Sequence, residues 1–109
     1  MTVAKLADAM GAKVICLPNG EREVDGGYVG DLLSWVMARA NTDNVWVTVM
    51  TNANMVAVAT LTDVSLVIIT DGSEMPPETL SLAKEKGVNL ARTNASSYEV
   101  CVRLGQLFS

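Results

Sequence analysis

Two runs of apolar, mostly β-branched residues, 45–49 and Leu66–Ile69, dominate the hydrophobic pattern of the chain. Neither alternates with polar positions, so both read as short strands buried on both faces. The segment 54–63 between them is apolar nearly all round, and its valines also suit a strand. No hairpin turn signal adjoins it, and parallel neighbours need a crossover. It therefore reads as a buried helix whose Met55, Val58 and Ala59 are core.

The remaining pattern alternates in the same way. Val3, Leu6, Ala7 and Met10 mark one face of a first helix, with Thr2 as its cap and Gly11 as its stop. Residues 14–17 form a first strand, ended by the turn cluster Pro18-Asn19-Gly20. Residues 21–27 are polar and glycine-rich and read as irregular. Asp31 suits the cap of a helix reaching about Ala40, with a wide apolar face broadened by Trp35. Pro76-Pro77-Glu78 opens a further helix, Gly87 stops it, and residues 88–91 form a last strand. Ser96 and Glu99 have capping-box spacing ahead of an inward stripe of Val100, Cys101, Leu104, Leu107 and Phe108. Alternation of about five helices with about four strands predicts an α/β layered domain with a small, mostly parallel sheet.

Composition narrows the function. The 109 residues make one domain on length, and half are hydrophobic, enough for a core without disulfides. A formal charge of −4 disfavours nucleic-acid and anionic-membrane partners. There is no histidine, which removes the triad base and the imidazole metal ligand together. Cys16 and Cys101 form no CxxC pair and read as buried thiols of a reduced compartment. The start, MTVAKLADAMGA, has no apolar segment of the signal-peptide kind. The stretch 55–69 is interrupted by Thr60, Thr62, Asp63 and Ser65 and falls short of the roughly 20 residues a span needs. A cytoplasmic protein is expected.

In a parallel sheet the loops following the strands gather at one edge, where ligands bind. Here they are 18–22, 50–54, 71–74 and 92–96. They supply the candidate ligand-binding residues Thr51, Asn52, Asn54, Asp71, Gly72, Thr93 and Asn94. Caps and turns want the same residue types, so these positions carry a structural reading as well. The glycine segment Gly26-Gly27-Tyr28-Val29-Gly30 fits neither dinucleotide nor P-loop spacing. Gly26, Gly27, Tyr28, Gly30 and nearby Trp35 are read instead as turn or interface residues that let a partner chain approach. No catalytic set, metal cluster or cofactor motif is legible.

The segments VDGGYVGDLLSWVM and VWVTVMTNANMVAVATLTDVSLVIITDG resemble the small DRTGG-domain proteins. SLVIITDGSEMPPETLSLAKEKGVNLARTNASSYEVCVRL is also similar to the N-terminal domain of HPr kinase/phosphorylase. The likeness is strongest over 26–104. It implies a regulatory α/β domain that self-associates and accompanies catalytic or ligand-sensing modules; the kinase P-loop belongs to a separate domain that these residues lack. The name-giving motif should fall near Thr51-Asn52-Ala53-Asn54-Met55, where its Asp, Arg and paired Gly are missing. The expectation is a non-catalytic, homodimeric regulatory or assembly module that senses a small metabolite or nucleotide. The alternative is an accessory subunit of a phosphoryl-transfer or other metabolic enzyme.

Overall fold

The computed structural model describes residues 1–108. The elements run α1 (Val3–Ala9), β1 (Lys13–Cys16), β2 (Gly27–Val29), α2 (Leu33–Arg39), β3 (Val45–Thr48), α3 (Ala53–Thr62), β4 (Leu66–Ile69), α4 (Pro77–Lys86), β5 (Leu90–Arg92) and α5 (Ser97–Leu107). They build one five-stranded sheet of order β1-β5-β4-β3-β2. Strands β2 to β5 are parallel, and β1 closes the sheet antiparallel to β5. This is the α/β layered architecture that the alternation predicts. The fifth strand is β2, inside the glycine segment.

The two apolar runs lack alternation because both faces of the sheet are covered. On one face Trp46, Val67, Ile69 and Leu90 pack with Val36, Met55, Val56, Val58, Ala59 and Ala83 of α2, α3 and α4. On the other, Val45, Val47, Leu66, Ile68 and Ala91 pack with Val3, Leu6, Val100 and Leu104 of α1 and α5. The disputed segment is helical. Asn52 caps α3 by accepting the Met55 N–H, and Asp63 ends it in the left-handed region. The Thr60 and Thr62 hydroxyls donate back to the Val56 and Val58 carbonyls, which lets threonines sit in an apolar helix.

Several local expectations change. Asp31 does not cap α2; Leu32 holds that position without a side-chain bond, and Asp31 ties to the end of β3 instead. The wide apolar face of α2 is not all buried: Val36 is, whereas Leu32, Trp35 and Met37 face outward. Likewise Val100 and Leu104 of α5 turn inward, while Leu107 and Phe108 are exposed. Leu61 of α3 is 70% exposed, so that helix is open on one side.

The direction of β1 also corrects the loop inventory. Because β1 runs against its neighbours, the 18–22 turn lies at the opposite edge from the other loops. There it is stitched down. Asn89, buried before β5, accepts the Asn19 N–H and donates to the Asn19 and Ser65 carbonyls. Arg22 reaches Asp43 at 2.9 Å and Asp63 at 3.0 Å, joining the turns that precede β3 and β4. Asn44 closes the same edge by donating to the Asp25 carbonyl.

Candidate functional site

The helices that follow β2, β3 and β4 all lie on one face, but α5, which follows β5, lies on the other. Where successive crossovers part to opposite faces, a crevice opens at the carboxyl ends of the strands. In this fold that place is between β4 and β5, and it holds four of the seven predicted ligand residues: Asp71, Gly72, Thr93 and Asn94.

These four are knitted together. The Asp71 N–H donates to the Ala95 carbonyl and the Gly72 N–H to the Thr93 carbonyl, both at 2.9 Å. The Thr70 hydroxyl reaches Asp71 Oδ2 at 2.9 Å and the Ser97 hydroxyl at 3.2 Å. Asp71 and Gly72 both have positive φ, which turns the chain sharply back over β5. A Cβ on Gly72 would lie 2.7 Å from Asn94 Oδ1, so glycine is what allows the two loops to close on each other. Of the crevice, what remains open is a cavity on the β1 side, about 250 Å3, lined by Gly11, Lys13, Arg92, Thr93 and Asn94.

The other three predicted residues stand apart. Thr51, Asn52 and Asn54 follow β3, and no hydrogen bond joins them to the Asp71–Asn94 group. Asn52 is used as the α3 cap, Thr51 is half-buried, and Asn54 is exposed on the first turn.

The glycine segment does something different from a phosphate loop. Gly26 makes a positive-φ turn into β2. Gly27 then runs so close to β3 that a Cβ would meet the Val45 carbonyl oxygen at 3.1 Å. The chain that the glycines admit is thus first of all β3. The Gly30 carbonyl accepts the Trp46 indole N–H at 2.9 Å.

The family model described as DRTGG domain matches residues 5–107. The chain belongs to the DRTGG-domain family. The family is one of regulatory domains. In fold this DRTGG domain is similar to the crystal structure of the CBS and DRTGG domains of the regulatory region of Clostridium perfringens pyrophosphatase, complexed with its activator, diadenosine tetraphosphate. The TM-score is 0.77 at 17% identity, over 96% of this chain and 46% of that one. The chain therefore spans less than half of that regulatory region. No curated protein matches the sequence.

Two apolar grooves complete the surface of the DRTGG domain. One, about 260 Å3, lies between β2 and α5 and is lined by Gly27, Val29, Cys101, Leu104 and Phe108 among others. The second, about 300 Å3, lies between α3 and α4, with Leu61 and Leu82 in its walls. Cys16 is buried and Cys101 half-buried, both as free thiols. Burial pushes both thiols up from their ordinary range, with Lys84 pulling Cys16 partly back. Neither is poised as a nucleophile. No helix among the described residues is long and apolar enough to cross a membrane.

Lys13 and Arg92 were not among the sequence candidates. Their signal is a pairing across β1 and β5, which no local pattern carries.

Proposed function

We propose that this DRTGG domain is a non-catalytic regulatory module that acts in the cytoplasm as a homodimer. The polar loop edge around Asp71, Gly72, Thr93 and Asn94, with Thr51, Asn52 and Asn54 on the separate loop after β3, is its side for a small metabolite or nucleotide. The observation that carries the assembly reading is the flank built on β2. The Val45 N–H donates to the Gly26 carbonyl and the Gly30 N–H to the Val47 carbonyl. Tyr28, in register with Trp46, continues this ladder, so the main-chain groups of Gly27 and Val29 point to the open edge. Val29 of that strand, Phe108 in the same groove, and Leu32, Trp35 and Met37 of the segment that follows are all exposed. An unpaired edge strand within apolar side chains is a surface for a second chain. The partner surface includes Gly26, Gly27, Tyr28, Gly30 and Trp35.

Light scattering at micromolar concentration tests this. The expected mass is twice that of the chain, and Val29→Lys should return it to that of one chain. A strictly monomeric wild type would sink the reading.

A second reading, an accessory module docked on a separate metabolic enzyme, draws on the pyrophosphatase neighbour, in which such a domain belongs to an enzyme's regulatory region. Co-purification of one stoichiometric enzyme subunit, lost with Val29→Lys, would favour it.

A further inference from the structure

Lys13 and Arg92 sit directly opposite each other on β1 and β5. Like charges facing across an antiparallel pair repel, and an opposite charge usually sits nearby to relieve them. Here neither side chain makes an ion pair or hydrogen bond among the described residues. The other arginines near carboxylates or rings are used, Arg22 by Asp43 and Asp63, Arg39 by the ring of Trp35. Arg103 adds a third positive charge to the corner, donating to the Met10 carbonyl at 3.2 Å, next to Gly11. An acidic chain of net charge −4 thus keeps a basic corner at a polar cavity of the ligand edge.

The rest of that cavity is rich in donors as well. Neither the main-chain N–H nor the side-chain amide of Asn94 donates within the chain. The Thr93 hydroxyl is already occupied as an acceptor, taking the Ala95 N–H, which leaves its own proton to give. An ammonium, a guanidinium, an amide and a hydroxyl offer more donors than the two oxygens of a carboxylate can accept, and suit the several oxygens of a phosphate. A volume of about 250 Å3 holds a phosphoryl group with a small body attached and leaves the remainder of a larger ligand outside.

We propose that Lys13, Arg92, Thr93 and Asn94 form the binding site for the phosphate of a small phosphorylated ligand. The proposal rests on the reading of the polar edge as the metabolite side of a regulatory module, and it names the ligand's chemical class. The repulsion between Lys13 and Arg92 is relieved when the anion is in place, so occupancy tightens the β1–β5 seam.

Two-dimensional amide NMR of the full chain tests it, with inorganic phosphate and ATP as probes against sodium chloride and acetate at matched ionic strength. Saturable shifts are expected at the amides of Lys13, Arg92, Thr93 and Asn94 with phosphate or ATP. Tighter binding of ATP would assign the site to nucleotides, and equal binding to phosphate groups in general. Lys13→Gln should weaken binding about tenfold or more. Without phosphate the same variant should melt roughly 1–5 °C higher than wild type, because the like-charge contact is gone. Arg92→Gln should weaken binding equally. Absence of saturable shifts at these amides with both probes, or their reproduction by chloride or acetate, would overturn the proposal. Light scattering on the same samples keeps the two readings apart. A dimer silent to phosphate removes the anion site alone, and a phosphate-binding monomer removes the assembly alone.

Discussion

The Thr48 hydroxyl donates to Asp31 Oδ1 at 2.8 Å, and the same oxygen accepts the Val49 N–H at 2.9 Å. Thr48 is fully buried at the end of β3. Asp31 therefore latches the β2–α2 connection onto the neighbouring strand. Asp31→Ala should destabilise the fold by about 1–3 kcal/mol, because it strands a buried hydroxyl. Asp31→Asn keeps an acceptor oxygen and should retain most of that. Urea unfolding of both variants measures the difference. A helix-capping role would give Asp31→Ser near wild-type stability, whereas the latch predicts that serine is too short.

Arg22 ties two left-handed aspartates, Asp43 and Asp63, into one edge. Its guanidinium also reaches the Asp63 carbonyl. Lysine carries the charge but not the fork. Arg22→Lys should cost about 0.5–1.5 kcal/mol. Both aspartates are substantially exposed, so part of the loss should fade at high salt. Unfolding curves at low and high sodium chloride check it; equal losses at both would argue that packing, not charge, is what the arginine supplies.

Ser96 and Glu99 form a reciprocal cap on α5. Ser96→Ala should cost about 1 kcal/mol. The loss should be local as well as global. Amide exchange should quicken in the first turn of α5 before it does in β3 or β4, as read by hydrogen-exchange mass spectrometry.

The thiols give a pH dependence of definite sign. Burial holds Cys16 and Cys101 protonated above the pH at which an unfolded thiol ionises. As pH climbs past that point the unfolded chain sheds its thiol protons first, so it binds fewer protons than the folded one. Stability is full at neutral pH and should decline through the alkaline thiol range. Cys16→Ala should flatten part of that decline in denaturant midpoints. A midpoint that rises with pH in that range would contradict the burial argument.

How much of this could be read from the residues depended on what fixed each element. Pro77 at the start of α4, Gly87 after it and the Ser96–Glu99 box act within one turn, and each stands where its local chemistry puts it. The runs in β3 and β4 are legible because burial on both faces leaves no polar position. Strand β2 is not: it is three residues long, begins with a glycine, and is held by its ladder to β3 rather than by its own side chains. The direction of β1 is set by its pairing with β5, far away in sequence, and that moved the 18–22 turn to the other edge. The exposed apolar residues of α2 mislead for a related reason. Their spacing is that of a core stripe, but α2 meets the sheet at its margin, where Val36 is fully buried and Leu33 and Ala40 pack only in part. At the site, the Asp71 and Thr93 loops follow from sheet geometry alone, whereas Lys13 with Arg92 needs the register of two distant strands.

Helix α5 begins at the Ser97–Thr70 hydroxyl contact, against the loop that carries Asp71, and ends with Phe108 over the groove beside Val29. Its 11 residues make a stiff rod about 16 Å long. One helix thus borders both the 93–96 turn and the β2 groove. The polar end and the greasy end of this small domain share a single strut.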